Sequence, residues 1–307
     1  MKIRSRLTLI VFSVMPGLIL GACAPASSGT SLTVFAAASL TDAFNEMGAA
    51  FSAEHPGATV EFNFAGSQQL RTQLEQGAVA DVFASANTKE LNTAIQSGLV
   101  VSGTQKTFVR NRLAVIVPKA NPGGIQELKD LGQSGLKIVL AAASVPVGGY
   151  ALTALDNMTA DFGATFSQTV IANVVSYEDN VKQVVAKVQL GEADAGIVYT
   201  SDVTPNVADK LIKLDIPDKY NVLATYPITV LKSAPNAALA QAFMDYVLSD
   251  KGQTILQKWG FIPALRLSTS PSLHHSVPPS LLAQQFHFRN RGDIAVAGSV
   301  ERDGRNL

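Results

Sequence analysis

The chain has 307 residues, 47% of them hydrophobic and only 16% charged, with 24 Lys+Arg balanced by 24 Asp+Glu. That balance leaves no basic surplus for a nucleic-acid backbone, and a single cysteine excludes an internal disulfide. The length accommodates two domains of ordinary size.

Lys2, Arg4 and Arg6 precede an apolar run over 7–20. A charged start followed by a short apolar run reads as a secretory signal over 1–22, too short to span a membrane comfortably. The run ends in Leu20-Gly21-Ala22-Cys23, small residues before the one Cys, as in a bacterial lipobox. Cys23 is then the lipidated first residue of the mature chain, anchoring it to a membrane, and 23–30 is a small polar tether. An ordinary signal peptide with a chance Cys is the alternative.

Apolar strand patterns and helical patterns alternate from there to about residue 264. Residues 32–37 read as a strand, and 40–54 as a helix through Leu40, Ala43, Phe44, Met47 and Phe51. A strand over 59–64 is followed by a helix over 68–76 stopped by Gly77. Then come a strand over 81–84, a helix over 88–96 and a continuous apolar strand over 113–117. Further on, the spacing predicts helices over 125–131, 149–157 and 180–190, and strands over 137–142, 170–175 and 195–199. After Tyr226-Pro227-Ile228-Thr229-Val230 come helices over 237–248 and 252–258. Apolar strands alternating with helices imply α/β architecture with mainly parallel sheets covered on both faces.

Two such blocks predict two lobes, 31–112 plus 226–264 and 113–225, linked by crossings near 112–116 and 225–230. Ligands of open α/β sheets bind beyond the carboxyl ends of strands, which places a ligand cleft between the lobes. Two small-residue turns, Ala36-Ala37-Ala38-Ser39 and Ala65-Gly66-Ser67, each end a strand and open a helix. The first N–H groups of a helix lack partners and the dipole is positive there, so such turns suit an anion. Residues 265–307 break the pattern: this tail has no Lys, and it holds three of the four His and half of the ten Arg. It reads as a disordered or aberrant extension.

Taken in order, several segments resemble the periplasmic molybdate-binding proteins of ABC importers. They are Val34-Phe35-Ala36-Ala37-Ala38-Ser39-Leu40, Phe64-Ala65-Gly66-Ser67, the run 77–86, Val145-Pro146-Val147-Gly148-Gly149-Tyr150 and the run 191–199. The resemblance spans about 31–264 and implies a two-lobed, type II-like periplasmic binding protein. It is then an exported monomer that takes molybdate, and tungstate, to a membrane permease, with no cofactor and no direct metal-ligand side chains. It further implies that Ser39, Ser67 and the Tyr199 hydroxyl hold the oxyanion, together with the backbone at Val147 and Val181. Gln68-Gln69 departs from the family pattern, where many relatives carry Ser or Thr, and blurs the choice between oxyanions.

Each of these residues also has a plain structural reading. Ser39 is a natural N-cap, with Asp42 completing a capping box, and Ser67 has the same alternative. Tyr199, Val147 and Val181 read as core or loop packing. Asp81 is expected to order backbone, since a carboxylate repels a dianion, and Arg71 to face solvent. Nucleophilic catalysis needs a base beside the nucleophile. Residues 31–264 contain one His, His55, in a turn, with no G-x-S-x-G or P-loop motif. An enzyme is therefore disfavoured, and the competing reading is the same fold binding sulfate, phosphate or a small organic anion.

Overall fold

The computed structural model describes residues 30–264. The signal, Cys23 with most of its tether, and the tail over 265–307 lie outside the described residues.

The first sheet begins with β1 (Thr30–Ala37), which leads through a 3₁₀ turn (Ala38–Leu40) into α1 (Thr41–Glu54). It continues with β2 (Ala58–Ala65), α2 (Ser67–Glu75), β3 (Val82–Ala84), α3 (Thr88–Gln96) and β4 (Lys106–Asn111). Helix α1 forms because Ala43, Phe44, Met47 and Phe51 fall on one stripe, and that stripe is fully buried. Phe44 packs on Phe62 of β2 and Phe108 of β4, with ring centroids 6.0 and 5.9 Å away.

The second sheet contains β5 (Leu113–Pro118), β6 (Ile138–Ala141), β7 (Val174–Glu178), β8 (Ala195–Tyr199) and β9 (Leu211–Asp215). Helices α4 (Pro146–Phe162), α5 (Phe166–Ala172), α6 (Val181–Gln189) and the short α7 (Pro205–Ala208) connect them. The chain then returns to the first sheet as β10 (Ala224–Val230), α8 (Ala237–Leu248), α9 (Asp250–Lys258) and β11 (Ile262–Pro263). Strand order is β11-β4-β10-β3-β1-β2 in one sheet and β7-β6-β8-β5-β9 in the other.

The α/β class follows the sequence pattern, but the sheets are mixed rather than mainly parallel. β1 pairs parallel with β2 and β3, and β6 with β7 and β8. The pairs of β10 with β3 and β4, and of β5 with β8 and β9, are antiparallel. The physical reason is the two passages between sheets, because a strand that leaves or re-enters a sheet runs against those built by helical crossovers. Arg112 alone separates β4 from β5. The second passage occupies 216–223, not 225–230, because Tyr226-Pro227-Ile228-Thr229-Val230 already lies within β10. Asn221 ties the two passages together: Oδ1 accepts from Leu113 N, and Nδ2 donates to the carbonyls of Leu113 and Ile216, all at 2.9 Å.

Local differences have local causes. Val170 and Ile171 read as strand, yet they belong to α5, where Phe166 and Val170 are buried at helical spacing. The helix expected over 125–131 is a 3₁₀ turn, Leu128–Gly132, and α4 begins at Pro146, a residue pre-set for the first helical turn. β4 and β9 escaped the pattern because each is short and interrupts its few apolar residues with Lys, Thr, Arg or Asp.

Candidate functional site

The same construction is used twice. In the first sheet, parallel register aligns Ala37 with Ala65, so the turns that follow β1 and β2 lie side by side. Ser39 and Ser67 are the serines of those turns. In the second sheet, parallel register aligns Ala141 with Glu178, which sets the start of α4 beside the start of α6. Val147 and Val181 are there, and Tyr199 ends the neighbouring parallel strand β8.

All five residues line one cavity, together with Ala37, Ala38, Ala65, Gly66, Ala86, Val145, Pro146 and Asn180. Its empty space, open solvent at the mouth included, amounts to ≈ 210 Å³. Among the described residues no charged side chain lines it.

Neither serine caps its helix. Leu40 and Gly66 hold the N-cap positions of α1 and α2, with no side-chain cap bond. Ser67 Oγ instead accepts the Ala86 backbone N–H at 2.9 Å, which leaves its own proton free. Ser39 Oγ lies 2.9 Å from Tyr226 Oη of β10. Both serines are buried. Among the described residues the buried Tyr199 hydroxyl finds no hydrogen-bond partner, a costly condition unless something else occupies the space it faces. Burial, and then the neighbouring Tyr226 and Tyr150, hold the Tyr199 phenol well above its ordinary pKa, so it stays a neutral donor.

Close backbone approach shapes both walls. A Cβ on Gly148 would sit 2.1 Å from the Ala142 carbonyl oxygen, and one on Gly66 would sit 2.6 Å from the Asp179 carbonyl oxygen. Only glycine permits either contact. Across the mouth, Gln68 Nε2 donates to the Asp179 carbonyl at 3.1 Å, and Lys182 Nζ of α6 pairs with Asp42 of α1 at 2.7 Å. Gln68, noted in the sequence as a departure, is therefore a bridge between the two sheets' turns.

Behind Tyr199 lies Asp202, whose Oδ2 accepts the Tyr199 backbone N–H at 3.1 Å. Burial raises its pKa to about 6, with attraction to Lys182, 3.7 Å away, opposing the rise. Sequence patterns gave no sign of Asp202, Tyr226 or Lys182. Tyr226 fell within the expected crossing over 225–230, and the other two stand in no motif.

Other candidates resolve as backbone or surface chemistry. Asp81 is buried and accepts the N–H groups of Thr33 at 2.8 Å and Asn236 at 2.7 Å. Arg71 pairs with Glu75 and, at 2.7 Å, with Glu90. His55 ends α1, stacked on Phe51 at 4.1 Å. Among the described residues no group of three His, Cys, Asp or Glu is placed to hold a metal ion.

A family model described as bacterial extracellular solute-binding protein matches residues 32–262. The molybdate-binding protein ModA of Mycobacterium tuberculosis (strain ATCC 25618 / H37Rv) is 39% identical over 237 residues, 77% of this chain and 86% of the relative. The periplasmic molybdate-binding protein of Azotobacter vinelandii matches with a TM-score of 0.67 at 21% identity, over 76% of this chain and 100% of its own. The sulfate-binding protein SubI of Mycobacterium tuberculosis H37Rv gives 0.68 at 17%, over 76% and 87%. At such identities the two structures show the shared fold alone.

Proposed function

Since the chain belongs to the bacterial extracellular solute-binding proteins, we propose that it captures molybdate, and also tungstate, outside the cytoplasm for an ABC permease. It is a binding protein and not an enzyme. Molybdate is its transported ligand, not a cofactor. The observation that carries the reading is the convergence of neutral donors on one small cavity without a charged lining residue.

The chemistry follows from those donors. Two seryl hydroxyls, the unpartnered Tyr199 hydroxyl and the N–H groups at the starts of α4 and α6 offer hydrogen bonds to a charged acceptor, worth ~1.5–3 kcal/mol each. Fixed dipoles need only offset the dehydration of the anion, whereas an ionic partner adds its own. Several together reach about −8 kcal/mol, a micromolar dissociation constant. A donor-only site favours a fully ionised anion over one that carries a proton, because the proton needs an acceptor. That disfavours phosphate near neutral pH. A smaller tetrahedron such as sulfate cannot meet every donor at once.

The anion first meets Ser39 and Ser67. The lobe built on the second sheet then closes on it with Val147, Val181 and Tyr199, and the closed form is what the permease recognises. Cys23 anchors the monomeric protein to the membrane. Mass spectrometry of the mature N-terminus tests the anchor: a diacylglyceryl Cys23 supports it, and an unmodified one removes it.

Isothermal titration of the chain from residue 24 with molybdate, tungstate, sulfate and phosphate tests the ligand. One-to-one binding of the first two, with the last two silent, supports the reading. Silence toward the metal oxyanions, with heat from sulfate or phosphate, transfers the site to the competing ligand.

A further inference from the structure

Three helix starts meet at the mouth of the cavity, and the second residue of each joins a bond across it. Asp42 is second in α1, Gln68 second in α2 and Lys182 second in α6. Lys182 Nζ donates to Asp42 Oδ2 at 2.7 Å. Gln68 Nε2 donates to the Asp179 carbonyl at 3.1 Å, two residues before α6 begins. That carbonyl is a fixed target. Gln183 Oε1 accepts the Asp179 N–H at 3.0 Å, and Asn180 Oδ1 caps α6 through the Gln183 N–H at 3.2 Å. Both serine turns of the first sheet are thus tied to the start of α6, one through an ion pair and one through an amide. The two ties fall on either side of Asn180 and Val181, which line the cavity.

Lys182 has no reason to be where it is within α6 alone, since the helix dipole disfavours a cation in the first turn. Its partners supply the reason. Besides Asp42 it has Asp202, 3.7 Å away, on the side of its own sheet. One ammonium therefore stands between two carboxylates, which without it would repel an arriving dianion. We propose that Lys182 and Gln68 form a clasp that holds the start of α6 closed over the bound anion and so sets how fast the anion is released. Neither residue lines the cavity, so both are positioning residues. When the walls part, Lys182 gives up Asp42 and keeps Asp202, which parks the ammonium beside the mouth for the next closure. The proposal rests on the oxyanion reading for its ligand and names what governs release from that site.

A release assay tests it. The chain from residue 24 is loaded with radiolabelled sodium molybdate and chased with excess unlabelled salt, as wild type, Lys182→Met, Asp42→Ala and the double variant. The side chains of Lys182 and Asp42 are 29% and 26% exposed, so solvent screens the pair, and each single variant is expected to release molybdate roughly two- to fivefold faster. The double variant is expected to release it no faster than Lys182→Met alone. Gln68→Ala speeds release by a similar factor. Added salt accelerates wild type and leaves Lys182→Met unchanged, a response that a packing role does not produce. Wild-type release rates in both single variants, or effects of the two that multiply, overturn the clasp.

A ligand-free arm measures closure itself. The one cysteine of the sequence is Cys23, so the chain from residue 24 takes spin labels cleanly at Thr72→Cys in α2 and Ala186→Cys in α6. Both positions are exposed, each one turn beyond a clasp residue. Electron–electron distance measurement is expected to show a longer, broader distribution in Lys182→Met than in its labelled parent. Identical distributions overturn the clasp. Silence of the wild type toward molybdate, with this arm as expected, removes molybdate as the ligand and leaves the clasp standing.

Discussion

On the first-sheet wall of the cavity the polar groups are side chains, the hydroxyls of Ser39 and Ser67. On the second-sheet wall they are mostly main chain, at Val147 and Val181, with Tyr199 contributing a hydroxyl. The backbone devices are alike, since each wall is made by two parallel strands whose register sets two turns side by side. The difference teaches where specificity can be read and altered. A hydroxyl is deleted by one substitution, whereas a helix-start N–H survives any substitution except proline. The valine side chains at those positions point into the core, 2% and 3% exposed. Their identity reports on packing and says little about the ligand.

The sharpest way to break this comparison is to erase the first wall. Ser39→Ala combined with Ser67→Ala removes two donors to a charged acceptor. Molybdate affinity is expected to fall by roughly a hundredfold or more, while circular dichroism still shows a folded chain. Unchanged affinity by calorimetric titration would sink the assignment of both serines.

Tyr199→Phe separates binding from stability on the second wall. The hydroxyl is buried and unpartnered, so its removal deletes a desolvated polar atom and leaves none behind. The ligand-free protein is expected to be as stable as wild type or more so, while affinity falls about tenfold. A variant that loses stability and keeps affinity would make Tyr199 a core residue and nothing more. The two quantities are read by urea unfolding without anion and by titration with it.

The legibility of these walls from sequence follows the same division. The serine turns could be found because a run of small residues between a strand and a helix bares backbone N–H groups, and a close-fitting anion makes use of them. Their shared cavity could not, because it depends on register: Ala37 opposite Ala65 is a property of the sheet, not of either segment. Tyr199 was legible as the last residue of an apolar strand, and its orphaned hydroxyl was not. Tyr226 was invisible, since it sits in an apolar strand. Only the contact between residues 187 positions apart joins Ser39 to Tyr226. Mixed pairing was missed for a related reason. β5 and β10 are as apolar as parallel core strands, and their direction is set by where the chain passes between sheets.

Val147→Ala and Val181→Ala sharpen the comparison from the other side. Each deletes buried methyl groups and leaves its backbone N–H in place. Stability is expected to fall by about 1–3 kcal/mol, and affinity to stay within roughly threefold of wild type. A large loss of affinity at unchanged stability would mean that these side chains, and not the amides beneath them, face the anion.

The smallest effect is expected at Asp202, which belongs to the second wall through its bond to the Tyr199 N–H. The groups that act on it are Lys182, the Tyr199 N–H and Asp42. Burial raises its pKa from 3.8 to about 6, so between those values the folded chain holds a proton that the unfolded chain has released. Stability therefore falls as pH rises through this interval, because unfolding frees a carboxylate that burial keeps from ionising. The contribution is fully present below 3.8 and lost above about 6. Asp202→Asn keeps an oxygen acceptor for Tyr199 and cannot ionise. Its stability relative to wild type is expected to improve between urea titrations at about pH 4.5 and about pH 7.5. A difference that stays flat across that interval would mean that Lys182 and the N–H bond already neutralise the cost of burial. Among the described residues neither serine hydroxyl hydrogen-bonds a carboxylate; their partners are Tyr226 and the Ala86 N–H. The same pair of titrations on Ser39→Ala should show no such trend.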